Sequence, residues 1–392
     1  MTTIHSQQIW INQQDLADTK VVERELSTSD LQPDEVLLET DSFGFSANNI
    51  TYAALGFKMG YWGFFPATDS HDSSDTGFGI VPVWGFATVK ASRHSGIKEG
   101  EKVFGYLPMA SHWVIKAGKV VPHGFSDIHE KRKSISPVYD QYLRCSADPG
   151  YDASREAWQL NFRPLYMTSF VLDDFVAEKA RDETLLLSSA SSKTALGTAQ
   201  LLKDKKAPRK ASYRVVGLTS KANVDKVKAS ECYDAVYSYD DLSELGHDSR
   251  YWLLDFAANG TLINNLAKQL GDNLSAVTLI GATDWKAQEK PNPKLLDAEI
   301  FFAPARVKLR QSEWGHDEFL TKYANAWQRF ASKVSDQFFE QSHCGTEAIT
   351  QLYLDTLNGS GQAKALNVAS FDQHCLNAVE IDVKPLVGTR AD

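Results

Sequence analysis

Two hydrophobic patterns divide the chain. From residue 7 to about 125, apolar positions alternate or run in short stretches punctuated by glycine and proline. Gln8 to Asn12, Glu35 to Asp41, Val81 to Lys90, Gly100 to Tyr106, His112 to Lys116 and Lys119 to Pro122 all have strand-like patterns. Pro33-Asp34 and Ser95-Gly96 break the chain between them. Many short strands with such turns predict a partly open β-barrel. From 184 to 305 the pattern changes. Apolar runs at 184–188, 213–218, 235–238, 251–256, 276–281 and 299–303 alternate with helical patterns, including 192–203, 221–230 and 260–271. That alternation predicts a parallel sheet with helices on both faces, so the fold class is α/β with a doubly wound Rossmann sheet.

The rest of the chain connects these two units. Residues 126–165 are irregular, polar and aromatic, with a charged run at His129 to Lys133. Pro164 to Phe175 has helical content, and residues 315–340 continue in a helical pattern. A last helix is expected near Thr346 to Leu357, then a turn at Asn358 to Gly361 and a strand at Ala365 to Ala369.

Composition narrows the function. A chain of 392 residues is long enough for two domains with their own cores. Its formal net charge of -9 argues against a general nucleic-acid or anionic-membrane binder. Uninterrupted apolar stretches of spanning length are missing, and the first residues lack the blocks of a signal peptide. The four cysteines (Cys145, Cys232, Cys344 and Cys375) show no ligand spacing. Buried free thiols in a cytoplasmic protein are the expectation.

The candidate chemistry begins at residue 184. An apolar strand runs into Ser188-Ser189-Ala190-Ser191-Ser192, and a helix opens at Lys193 and Thr194. A second strand then ends in Thr219, Ser220 and Lys221. This is the outline of a dinucleotide-binding βαβ unit, in which a helix N-terminus faces a pyrophosphate. Serine replaces glycine in the turn, and Gly197 lies inside the helix, where it allows close packing of helix on strand. Serine hydroxyls can bond phosphate or simply cap the helix, and Lys193 can add a charge or stand in solvent. Hydroxyls and a cation after the second strand suit a 2′-phosphate, where an Asp or Glu would repel it, so NADPH is expected over NADH.

In this order the pieces resemble the medium-chain dehydrogenase/reductase superfamily, in particular its zinc-independent quinone-reductase branch. Pro33 to Thr40 with Phe43 to Gly56 looks like the opening of a GroES-like domain, and Gly85 to Ser92 with Gly96 to Gly105 like its next segment. Asn223 to Tyr239, Asp255 to Gly260 and Leu279 to Thr283 resemble the later Rossmann elements, and Gly359 to Ala369 the returning strand. The resemblance thus implies a barrel domain over 1–160, a Rossmann domain over 161–335 and a return to the barrel domain over 336–392. Relative to a compact reductase, the irregular stretch from about 126 to 160 is an expected insertion that covers a cleft or builds an interface. More narrowly, SFGFSANNITYAALG, VPVWGF, SSASSKTA and VVGLTS are similar to a family labelled only as a domain of unknown function, DUF2855. Where zinc alcohol dehydrogenases carry a His-Glu pair, this chain has Phe86-Ala87, and no cysteine precedes Cys145. A catalytic zinc needs about three such ligands, so no metal is expected.

The resemblance implies NADPH-dependent reduction of an enone or quinone by hydride transfer. It places Tyr52 in the cleft as the group that handles the substrate oxygen, with Asn48 and Asn49 as orienting amides. A packing tyrosine and turn-forming asparagines are the plainer reading of the same residues. The cofactor set expected is Ser189, Ala190, Ser191, Ser192, Lys193, Thr194, Gly197, Thr219, Ser220, Lys221, Tyr239, Phe256, Ala257 and Gly281. Tyr61, Trp62, Phe64 and Phe65 line a pocket or pack a core. Tyr139, Tyr142 and Arg144 are placed to close over the site, and Thr168 and Ser169 at an interdomain hinge. The expected substrate is an apolar or aromatic carbonyl compound. A homodimer paired along the edge at 299–303 fits the resemblance. Two alternatives stay open: an NADPH-dependent carbonyl reductase, and a degenerate Rossmann protein with a binding or scaffold role.

Overall fold

The computed structural model describes residues 3–67, 77–132, 137–180, 182–257, 259–280, 298–360, 364–373 and 375. Glu35–Gly44, Pro82–Ser92, Lys102–Pro108, Gln141–Arg144, Gly124–Asp127 and His112–Val121 are neighbours in that order, and His112–Val121 pairs back onto Glu35–Gly44 to close a barrel. Glu35–Gly44 can serve three neighbours because its register shifts between Leu37 and Leu38 and between Thr40 and Ser42. Such bulges bend a strand out of one ladder and into another. Its far end then pairs Val368 with Gly44 in Ala365–Ser370, which runs parallel to Phe339–Cys344. The C-terminal strands thus return to the barrel sheet. A further sheet, Thr19–Ser27, Thr3–Asn12 and Phe78–Gly79, packs at its side.

The segment expected to be an irregular insertion is built differently. Gly124–Asp127 and Gln141–Arg144 within it are barrel strands. They are too short for alternation to show, which is why their sequence looks irregular. The segment ends in the helix Glu156–Lys179, which starts eight residues before the helical content expected from Pro164. This helix crosses the expected boundary at 160, and Thr168 and Ser169 lie in its middle rather than in a hinge.

Six parallel strands follow the order Ala235–Ser238, Arg214–Thr219, Thr184–Leu187, Tyr251–Asp255, Leu274–Leu279 and Ala298–Ile300. This is the doubly wound 3-2-1-4-5-6 order. The central strand is buried along its whole length, as a parallel strand covered on both faces should be. One face packs on Glu156–Lys179, Lys193–Lys206 and His316–Val334, with Phe162, Tyr166, Leu202 and Phe330 fully buried. The other packs on Gly260–Leu270 through Ile263 and Leu266. The expected strand at 299–303 stops at Ile300, and a helix, Ala303–Trp314, begins where it was expected to continue. Ile300 is exposed on this open edge.

The cysteine expectation is corrected. Cys344 and Cys375 form a disulfide with their Cα atoms 5.7 Å apart, and the free thiols are the buried Cys145 and Cys232. The parallel pairing of Cys344 with Ser370 brings residue 375 beside residue 344, a proximity that a separation of 31 residues conceals. Among the described residues no helix is long and apolar enough to cross a membrane.

Candidate active site

The central strand ends at Ser188, which is fully buried. Its hydroxyl donates to Asp255 Oδ1 at 2.6 Å and accepts from the Phe256 N–H at 2.9 Å. Ser189 then adopts a left-handed backbone with φ of 46°. This is the conformation that a glycine usually supplies, and it costs an L-residue about 1–2 kcal/mol. Two neighbouring bonds hold it there. The Ser189 N–H donates to Tyr239 Oη at 2.9 Å, and the Ala190 N–H donates to the Leu218 carbonyl at 3.0 Å. The Ala190 carbonyl accepts from Tyr233 Oη at 2.8 Å, and its methyl group sits against Gly217. Ala190 is therefore buried and packed within the turn. Ser192 caps the helix by accepting from the Ala195 N–H. Among the described residues, the N–H groups of Ser191, Lys193 and Thr194 have no partner. These are the donors that a helix N-terminus offers to an anion.

Lys193 turns from solvent into the seam between the two units. Its Nζ lies 3.5 Å from Asn161 Oδ1 and 3.4 Å from the Ala365 carbonyl. Asn161 donates to the Asn367 carbonyl at 2.8 Å, and Asn367 donates to the Phe45 carbonyl at 3.1 Å. This chain of amides ties the turn to the barrel. Burial lowers the Lys193 pKa to about 8, with Lys226 adding repulsion, and Lys364 in turn repels Lys226.

Gly197 plays a different part from the one expected. A Cβ there would fall 2.9 Å from Ser169 Oγ and Tyr166 Cδ2, so the glycine lets helix 193–206 lie on helix 156–179 rather than on the strand. Thr219 is buried, whereas Ser220 and Lys221 are exposed at the end of the second strand. Phe256 and Ala257 are core residues, and Gly281 lies outside the described residues.

The second half of the site rises from the helix Ala47–Ala54. The Ser46 N–H donates to Asn49 Oδ1 at 2.9 Å, closing a capping box, and Asn49 Nδ2 donates to the Pro82 carbonyl at 3.1 Å. Asn49 thus spends its amide on backbone, and it lines a small neighbouring pocket with Asn48 and Trp84. Asn48 and Tyr52 are one turn apart on the opposite face. Asn48 Nδ2 donates to Tyr52 Oη at 2.7 Å. Both line a cleft of about 520 Å³. Thr168 also lines it, as do Ile280 and Phe301, which follow the fifth and sixth sheet strands. Ligands bind at this carboxyl end in open α/β sheets.

The cleft is strongly aromatic. Tyr52 lies 4.6 Å from Tyr61 and 5.7 Å from Tyr106, ring to ring. Tyr61 and Tyr139 share a 3.4 Å contact between hydroxyls. Burial, then the charge of Tyr61, pushes the Tyr52 phenol well above its ordinary range, so it stays protonated at neutral pH. Asn48 fills an acceptor position on Oη, and Trp84 and Tyr106 also reach this hydroxyl. Tyr142 also lines the wall but spends its hydroxyl on the Tyr106 carbonyl, and Arg144 is engaged by Glu101 and loop carbonyls. Trp62, Phe64 and Phe65 pack in the barrel core. Trp84, Phe104 and His316, which stacks on His123 at 4.0 Å, were not singled out by the sequence, because their strands and helix end give no sign of a shared cavity.

At the position where a zinc enzyme carries its His-Glu pair, Phe86 is buried against Phe104. Among the described residues no group of three His, Cys, Asp or Glu could hold a metal.

A closed barrel and a 3-2-1-4-5-6 sheet meet at an aromatic cleft. Residues 43–362 match the family described as "Protein of unknown function (DUF2855)", and the chain belongs to that family. No curated protein sequence matches the chain. Solved structures share its fold at low identity. CurA of Vibrio vulnificus in complex with NADPH is 14% identical and superposes with a TM-score of 0.60 over 94% of this chain and 99% of its own. The complex of Etr1p, a mitochondrial 2-enoyl thioester reductase of Candida tropicalis, with NADP and crotonyl-CoA is also 14% identical, at 0.59 over 94% and 100%. TarJ of S. aureus with NADPH is 9% identical, at 0.56 over 94% and 99%.

Proposed function

We propose that this protein is a zinc-independent, NADPH-dependent oxidoreductase that reduces the conjugated double bond of an enone or the ring of a quinone. The observation that carries this reading is the protonated Tyr52 phenol, oriented by Asn48, facing an aromatic cleft at the carboxyl ends of the Rossmann strands. Structures of the same fold carry NADPH or NADP.

The residues present fit the cofactor. The unpartnered N–H groups of Ser191, Lys193 and Thr194 would hold the pyrophosphate, helped by the Ser191 and Ser192 hydroxyls. Ser220 and Lys221 would hold the 2′-phosphate. Lys226 repels Lys193 and is itself repelled by Lys364, which marks a positive field that an anion relieves. When bound, NADPH would supply a hydride to the substrate's β-carbon and leave as NADP⁺, with solvent giving the proton to the α-carbon. Tyr52 donates a hydrogen bond to the carbonyl oxygen and stabilises the negative charge that develops there. Asn48 holds the phenol in that orientation. The surrounding aromatic rings exclude water, which strengthens the bond.

Calorimetric titration with NADPH and NADH, followed by product analysis on an enone, tests the reading. NADPH binding with a saturated ketone product supports it, and an allylic alcohol product would favour a carbonyl reductase. Lys221→Glu raises the Kd for NADPH by about tenfold or more, roughly 1.4 kcal/mol, and leaves NADH nearly unchanged. Unchanged NADPH affinity would remove the 2′-phosphate assignment. A pH series gives a second check. Phosphates favour the charged form of Lys193, whose pKa in the free protein is about 8. Binding above that pH takes up a proton, so NADPH affinity falls as pH rises from 8 toward the ordinary lysine range. A Lys193→Met variant loses that dependence.

A further inference from the structure

Beyond the main cleft lies a second cavity of about 390 Å³, and the two share a partition made of Met59, Tyr61, Tyr139 and Phe302. The rest of its wall comes from Gly56, Phe57, Gly60, Trp62, Gly63 and Phe64. Among the described lining residues it has no Asp, Glu, Lys, Arg or His. Its lip is apolar and open. Phe57 is 63% exposed, Met59 50% and Phe302 48%, a cluster of large side chains that water would not select. Contiguous exposed apolar surface of this kind marks ligand-binding grooves. The main cleft must admit the nicotinamide as well as the substrate head, but the second cavity is by itself within the range of a drug-sized ligand, and a four-carbon enone held at Tyr52 would leave it empty.

Resting on the reductase reading above, we propose that the substrate is an amphiphilic enone or quinone with a long apolar tail. Its conjugated head lies at Tyr52, and its uncharged tail passes the Tyr61–Tyr139 partition into the second cavity. The partition suits this passage. Tyr61 and Tyr139 touch through hydroxyls at 3.4 Å, a long contact that can open without exposing a strong bond, and Met59 is an unbranched, adaptable side chain. The tail is apolar because a charged one would enter with no counter-charge to pair it. Glycine supplies the room. Gly63 lines the second cavity, and a Cβ built there meets nothing within 4 Å. Its backbone is not among the left-handed positions, so a larger residue fits without strain.

The test uses the full chain and two homologous series, unbranched 1-alken-3-ones for turnover and saturated 2-alkanones for binding, from four to fourteen carbons. For the wild type, kcat/KM is expected to rise about three- to fourfold for each methylene until the second cavity is filled. Gly63→Phe places a ring at the wall of that cavity. It is expected to keep the wild-type melting temperature and its activity on the four-carbon enone, and to lose the rise at long chain lengths. Gly63→Leu should shift the plateau by fewer carbons than Gly63→Phe. A wild-type profile flat beyond about six carbons, or a Gly63→Phe profile as steep as the wild type, overturns the proposal. The ketone series separates this failure from failure of the redox reading. Chain-length-dependent ketone binding that Gly63→Phe abolishes supports the tail cavity even where no enone is reduced. Ketone binding that ignores chain length overturns it.

Discussion

Replacing Tyr52 by Phe is expected to lower kcat for enone reduction by about 10²–10³-fold, the usual loss when one donor to a developing oxyanion is removed. The variant keeps the ring and therefore its contacts with Tyr61 and Tyr106. What it loses is one hydroxyl, the acceptor for Asn48 and the proposed donor to the substrate. Since Asn48 is only half-buried, water can take up its freed amide, and stability should change by less than about 1 kcal/mol. NADPH affinity should stay within about twofold, because the loss falls on the transition state rather than on cofactor binding. Burial holds the phenol protonated through the neutral range, so wild-type kcat should show no ionisation of Tyr52 below pH 9. Single-turnover kinetics with pre-bound NADPH, run from pH 6 to 9, measures both points. Wild-type kcat in Tyr52→Phe would reduce Tyr52 to a packing residue and shift attention to Tyr139 or Tyr61 across the cleft.

The elements that recur with regular spacing were legible in the chain, and so were their roles in the fold. Strand and helix alternation from 184 onward predicts the doubly wound sheet, because a buried parallel strand such as Thr184–Leu187 must be apolar throughout. The barrel was legible for its longer strands, whereas Gly124–Asp127 and Gln141–Arg144 were hidden, since four residues hold too few alternations to show a face. Site residues divide in the same way. Asn48 and Tyr52 stand on one helix, so their spacing alone predicts that they meet. Tyr61, Tyr106 and Tyr139 come from three separate segments, and only closure of the barrel brings their rings together. The partners of the serine turn were equally hidden. Tyr239 and Asp255 reach Ser189 and Ser188 from other strands, and they let serine stand where the local pattern leads one to look for glycine.

Gly197 shows how a glycine can be found in the sequence and yet be assigned the wrong neighbour. It sits five residues into the helix that opens at the turn, and its missing side chain brings that helix against Ser169 and Tyr166. Gly197→Val is expected to lower unfolding free energy by about 3 kcal/mol, the upper range for overpacking a close-packed contact. Relief is limited, because Tyr166 is fully buried and donates to the Ala326 carbonyl at 3.0 Å, while Ser169 donates to the Thr194 carbonyl at 2.7 Å. The second bond couples packing to function, since Thr194 belongs to the turn whose N–H groups face the proposed phosphates. NADPH affinity should therefore fall together with stability. Urea denaturation and calorimetry on Gly197→Ala, Ser169→Gly and the double variant resolve the cause. If the helix contact is what the glycine serves, Ser169→Gly recovers about 1 kcal/mol or more in the Gly197→Ala background, a coupling that distant sites do not show. Weaker NADPH binding at unchanged stability, with no coupling to Ser169, would instead place Gly197 against the dinucleotide.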